Sequence, residues 1–134
     1  MMRWISGFTL LATTSGCVVY DTGAPPVGPT ITYADAGCYP DDNYRDFVWY
    51  FEADVADGNG GVTVVQVYAD VFDDVSGRWV DGFDLYPEQG LTWSSAWVGG
   101  STWLDCQYPY YSVDLTAETA NGLMDVVTVF PRAW

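Results

Sequence analysis

The sequence predicts an all-β domain, an antiparallel sandwich of about seven strands. Apolar and polar residues alternate over short runs, the period of a half-buried strand, and clusters of Gly, Pro, Asn and Asp interrupt those runs at short intervals. No stretch repeats apolar residues at the roughly 3.6-residue period of an amphipathic helix. Aromatic residues make up 17% of the chain, with 7 Trp and 10 Tyr, which separates it from disordered sequences and supplies a core.

The elements follow in order. Ile31 and Tyr33 begin a short first strand that leads to Cys38. Phe47, Trp49, Phe51, Ala53 and Val55 alternate through a long second strand, with Tyr50, Glu52 and Asp54 on its wetter face. Asp57-Gly58-Asn59-Gly60-Gly61 offers positions suited to positive φ and reads as a hairpin turn into a third strand, Val65, Val67, Ala69 and Val71. A turn at Asp73-Asp74-Val75-Ser76-Gly77 leads to Trp79, Val80, Phe83 and Leu85, and Pro87-Glu88-Gln89-Gly90 ends that fourth run. Leu91, Trp93 and Trp97 mark a fifth strand, after which Trp103 and Leu104 carry the chain to Cys106. Tyr111, Val113, Leu115 and Ala117 form a sixth, and Thr119-Ala120-Asn121-Gly122 turns it into a seventh with Met124, Val126, Thr128 and Phe130.

Before the strands, Met1-Met2-Arg3 and an apolar run too short to span a bilayer read as a secretory signal. Thr14-Ser15-Gly16-Cys17 resembles the lipobox of bacterial lipoprotein signal peptides, although Thr14 stands where such motifs usually carry a large aliphatic residue. The resemblance implies that residues 1–16 are removed and that Cys17 becomes an acylated N-terminus. Val18 in place of Asp then implies, by analogy with enteric sorting, the outer membrane of a Gram-negative bacterium. Residues 17–29, rich in Pro and Gly, read as a flexible tether, and residues 30–134 as the domain.

Cysteine arithmetic agrees with a lipid at Cys17. An odd thiol is a liability in an oxidising compartment, and acylating Cys17 leaves Cys38 and Cys106 as a pair.

Charge excludes several functions. Eighteen acidic residues face 4 arginines, with no lysine and no histidine, for a net charge of −14. Nucleic-acid binding needs a basic surface, and so does docking on an anionic bilayer, so membrane attachment falls to the lipid. Without histidine or lysine there is no Ser–His nucleophile, no Schiff base and no histidine metal site. A carboxylate pair drawn from Glu52, Glu88 and Glu118 is the remaining catalytic arrangement, and an enzyme is not expected. Asp54, Asp57 and Asn59 offer hard oxygen ligands for Ca²⁺, against the plainer reading of solvated turn acids; Asp41-Asp42 and Asp73-Asp74 invite the same pair of readings. Trp93, Trp97 and Trp103, with Tyr108, Tyr110 and Tyr111 nearby, are the candidate rings for stacking on a glycan or anchoring a protein partner.

Tyr111-Ser112-Val113-Asp114-Leu115-Thr116-Ala117, running on to Asn121-Gly122, resembles the penultimate strand and turn of bacterial immunoglobulin-like and fibronectin-type-III-like domains. Phe51 to Asp57 resembles their second strand. The likeness spans about residues 30–131 and implies a scaffold or recognition module, with Tyr111 or Tyr110 bonded to backbone at a corner. The layout is also similar to small Trp-, Tyr- and Asp-rich lipoproteins of myxobacteria and related bacteria, which carry no known activity. The resulting expectation is a non-catalytic envelope lipoprotein presenting an immunoglobulin-like domain for structural or protein-recognition roles, with envelope proteins or glycans as candidate partners. A carbohydrate-binding module, or a calcium-stabilised adhesion-type domain, is the alternative.

Overall fold

The computed structural model describes residues 27–58 and 63–132. Seven antiparallel strands follow one another: β1 (Thr30–Asp41), β2 (Asp46–Ala56), β3 (Val64–Asp73), β4 (Trp79–Pro87), β5 (Thr92–Val98), β6 (Tyr111–Thr119) and β7 (Met124–Val129). A three-residue 3-10 turn, Gly99–Ser101, follows β5.

The strands form one sheet in the order β1-β2-β5-β4-β3-β6-β7, bent so that its two edges nearly meet. The seam is closed at two points: the backbone N–H of Ile31 donates to Asp125 Oδ2 at 2.8 Å, and Gly37 makes a parallel bridge to Arg132. Long ladders join β1-β2-β5 on one side and β4-β3-β6-β7 on the other, and only Tyr86–Ser94 and Pro87–Trp93 pair β4 with β5.

Alternation on β2 places Trp49, Phe51, Ala53 and Val55 inside, as their period requires. They meet Val67, Ala69 and Val71 of β3, Phe83 and Leu85 of β4, and Val113, Leu115 and Ala117 of β6 in one core. Phe51 stacks on Phe83 with ring centres 4.8 Å apart, and Trp49 meets Tyr111 edge to face at 5.8 Å. Each large side chain buried this way contributes about 1.5–3 kcal/mol of transfer free energy.

Four expectations are corrected. The first strand is long: it runs twelve residues and holds Cys38 inside it and Pro40 near its end, which a sheet edge tolerates because the missing N–H faces away from the ladder. The glycine-rich turn after β2 is not a hairpin, since β2 pairs with β1 and β5 while β3 pairs with β4 and β6. A bulge between Val64 and Gln66 turns Val64, not Val65, into the core. On β7 the series Met124, Val126, Thr128, Phe130 faces solvent, because Val127 and Val129 register against Leu115 and Val113 and follow them inward. Hairpin turns after β3 and β6 form as expected, and Gly77 and Gly122 take positive φ there.

Cys38 and Cys106 are joined by a disulfide across a sequence separation of 68. It ties the inner side of β1 to the segment leading into β6. Among the described residues no helix is long and apolar enough to cross a membrane.

Candidate functional site

The sequence-derived candidates do not assemble into one site. Trp93 and Trp97 stand opposite Ala53 and Trp49 of β2, so the pleat turns both indoles toward the core. Trp97 lies 5.5 Å from Phe83, and its Nε1–H donates to Ser95 Oγ at 3.0 Å. Trp103 sits on the loop before Leu104 and is 82% exposed. The three tryptophans therefore form no shared platform. Asp54 Oδ1 accepts the Thr92 hydroxyl at 2.7 Å, and Asp57 Oδ1 accepts the Val64 N–H at 2.9 Å, while Asn59 lies outside the described residues. Among the described residues no group of three or more His, Cys, Asp or Glu is arranged to hold a metal. Cys17 also lies outside them.

Glu52 and Glu88 do come together. They line a shallow dish of about 420 Å³ on the outer face of β2 and β5, with Thr92 and Ser94 between them. Ser94 Oγ donates to Glu88 Oε2 at 3.0 Å. Glu118 stands apart from them on β6, opposite Met124.

Beside that dish, the outer face of β1 and β2 carries a polar clasp. The Tyr50 ring covers Gly37, its cross-strand partner, where a Cβ would come within 2.8 Å of the phenol oxygen and 2.9 Å of the ring. Its hydroxyl donates to Asp35 Oδ2 and accepts from the Arg132 guanidinium, which also pairs with Asp35 at 3.6 Å. Burial, then the Asp35 charge, pushes the Tyr50 phenol up. This arrangement fastens the chain end across the seam.

The outer face of β4-β3-β6-β7 is different in character. Met124 and Val126 project from β7, Phe130 from the residue just after it, and Trp79 from β4, each about half exposed or more. The Trp79 ring rests against Gly82, where a Cβ would approach it to 3.3 Å, and its Nε1–H donates to Asp70 Oδ1 at 3.0 Å. Asp70 stands directly opposite Asp114, whose Oδ1 accepts the Thr128 hydroxyl at 2.6 Å. Trp79, Asp70, Asp114 and Thr128 thus form a row across four strands, flanked by apolar side chains.

Strand alternation hid this row. Counting back from Phe83 and Leu85 puts Trp79 inside, but β4 carries an extra residue between Asp81 and Trp79, and the bulge rotates the indole outward opposite Phe72. The available signal was Gly82, a strand glycine of the kind that marks a bulge or a close approach.

At the other end, the Tyr111 hydroxyl accepts the Asp105 N–H at 2.8 Å, the corner bond expected of Tyr111 or Tyr110. Burial pushes the Tyr111 phenol up, as a buried neutral hydroxyl requires.

These features define an all-β domain of seven antiparallel strands in one nearly closed sheet, stapled by a disulfide. No protein-family model, curated protein or solved structure matches the chain.

Proposed function

We propose that this chain is an exported lipoprotein, acylated at Cys17 and held in the outer membrane of a Gram-negative bacterium, that presents an immunoglobulin-like sandwich for protein recognition. The strand order supports the fold type: β1-β2-β5 faces β4-β3-β6-β7, the Greek-key arrangement of fibronectin-type-III-like domains, and β6 opens on a backbone-bonded tyrosine. The tether and the acidic surface, which repels an anionic bilayer, favour a lipid as the means of attachment. The missing histidine and lysine favour a non-catalytic role.

The observation that carries recognition is the outer face of the four-stranded sheet. Trp79, Met124, Val126 and Phe130 expose apolar surface around a polar row, the composition of an interface core with its hydrogen-bonding groups. A photo-crosslinking residue at Val126 in the native, membrane-bound protein is expected to trap a partner of defined mass. The same residue at Val75, on the exposed β3–β4 turn, is expected to trap none. Absence of any adduct at Val126, or identical adducts at both positions, would count against the reading. Release of Cys17→Ser from the membrane fraction tests the anchor separately.

The Trp79 ring, with Asp70 beside it, also suits stacking on a sugar. Saturable binding on a glycan array, lost in Trp79→Ala, would replace the protein partner with a glycan.

A further inference from the structure

The outer face of β4-β3-β6-β7 carries charge of one sign. Ala69, Val71, Val113 and Leu115 are fully buried, so Asp70 and Asp114 between them turn outward. Asp84, between buried Phe83 and Leu85, and Glu118, opposite exposed Met124, lie on the same face. None of the four strands contains an arginine or a lysine. Among the described residues no ion pair reaches these four carboxylates, and the pair that does form joins Arg132 to Asp35 on the opposite face.

Two of the carboxylates are set against each other. Asp70 and Asp114 are directly opposed across β3 and β6, where like charges repel and cost stability. Each is nonetheless held in place through one oxygen, Asp70 by the Trp79 indole N–H and Asp114 by the Thr128 hydroxyl. Among the described residues the second oxygen of each has no donor. Like-charge pairs of this kind concentrate at functional sites, where stability is traded for binding.

The surrounding side chains favour an organic cation over a metal ion. Among the described residues no group of three or more acids is arranged to hold a metal. Aromatic rings border the pair instead: Trp79 stands opposite Phe72, and Tyr68 stands opposite Asp84, each two residues along β3 from Asp70. A guanidinium bonds carboxylates through a planar fork and stacks on aromatic faces, which an ammonium does less well. The chain itself uses this chemistry on its other face, where the Arg132 guanidinium meets Asp35 and the Tyr50 hydroxyl. Exposed Met124, Val126 and Phe130 beside the row suit apolar residues flanking such an arginine. A second copy of this chain is a poor occupant, because face against face would oppose carboxylates of the same sign on a chain of net charge −14.

We propose that this face binds a protein segment through an arginine seated on Asp70 and Asp114 beside the Trp79 ring, with apolar residues on either side of it. The proposal rests on the reading of the face as a recognition surface and names the chemistry of the partner.

The experiment is titration of the native full-length protein, in nonionic detergent, with the end-capped peptide Leu-Arg-Leu-Arg-Leu. Parallel titrations use the same peptide with lysine, or with citrulline as the neutral isostere, at both arginine positions. The arginine peptide is expected to bind saturably and more weakly as salt rises, with affinity about tenfold lower for citrulline and several-fold lower for lysine. Asp114→Asn is expected to weaken the arginine peptide about tenfold without lowering the urea midpoint, which separates loss of the site from loss of the fold. Asp42→Asn removes the same charge from the exposed turn before β2 and is expected to leave binding unchanged. No saturable binding, equal affinity for the lysine or citrulline peptide, or equal effects of the two substitutions would overturn the proposal. A partner trapped by the crosslinker at Val126 whose attached segment holds no arginine would overturn it too, while leaving the recognition reading intact. Arginine-selective binding without any adduct at Val126 would uphold the chemistry of the face and count against that reading alone.

Discussion

The Tyr108 hydroxyl donates to Asp73 Oδ1 across 2.8 Å, tying the loop before β6 to the last residue of β3. The two groups titrate in opposite directions because of this bond. The bond to Asp73, then burial, pushes the Tyr108 phenol up from 10.0 to about 12. The Tyr108 hydroxyl, then the Val75 N–H, holds the Asp73 carboxyl below its usual 3.8.

Stability is therefore expected to be lost on both flanks of the pH scale. The raised phenol contributes stability that is fully present below pH 10.0 and disappears as pH rises through about 12. The depressed carboxyl contributes stability present above pH 3.8 that disappears as pH falls through its folded value. Tyr108→Phe should flatten both limbs of a plot of urea midpoint against pH. Limbs parallel to those of the wild type would show that other groups govern them.

Tyr111→Phe removes the acceptor of the Asp105 N–H while keeping the ring against Trp49. A loss of about 1–2 kcal/mol is expected in urea denaturation, the cost of an unmade hydrogen bond in a partly buried site. Tyr110→Phe is the control, because Tyr110 is 56% exposed and should change little.

Replacing Cys38 and Cys106 together by alanine is expected to cost about 2–4 kcal/mol, since the bridge closes a long loop of the unfolded chain. Chemical denaturation of the double variant measures it. Alkylation of both residues in the unreduced native protein would contradict the bridge outright.

Asp114→Asn should stabilise the domain by about 0.2–1 kcal/mol, because Asp70 and Asp114 are directly opposed like charges and the Thr128 hydroxyl can still donate to an amide oxygen. The gain should shrink at high salt. Destabilisation would mean that the opposed carboxylates are held by more than the donors described above.

Much of the fold is legible in the chain. The even spacing of Trp49, Phe51, Ala53 and Val55 identifies both a strand and its inner face, and the structure buries all four. Tyr111, Val113, Leu115 and Ala117 behave the same way. The candidate sites were read less well. Trp93 and Trp97 looked like surface rings because tryptophan suits both a core and an interface, and only their register against β2 puts them inside. Trp79 was not among the candidates, because a bulge that no spacing rule announces turns it outward. Trp49 read correctly as core, but nothing in its neighbours in sequence shows that its N–H lacks an acceptor among the described residues.

By itself the sequence determined the all-β class, seven strands, the hairpin turns after β3 and β6, and a net charge of −14. These are local properties, set by alternation, turn chemistry and composition. Tertiary structure alone decided that β2 crosses over instead of turning back to β3, that Val127 and Val129 rather than Val126 and Phe130 face the core, and that Trp79 and Asp70 meet on one outer face. Alternation fixes a period of two but not its phase. The phase comes from register with neighbouring strands, and each bulge shifts it by one residue, turning side chains from core to solvent.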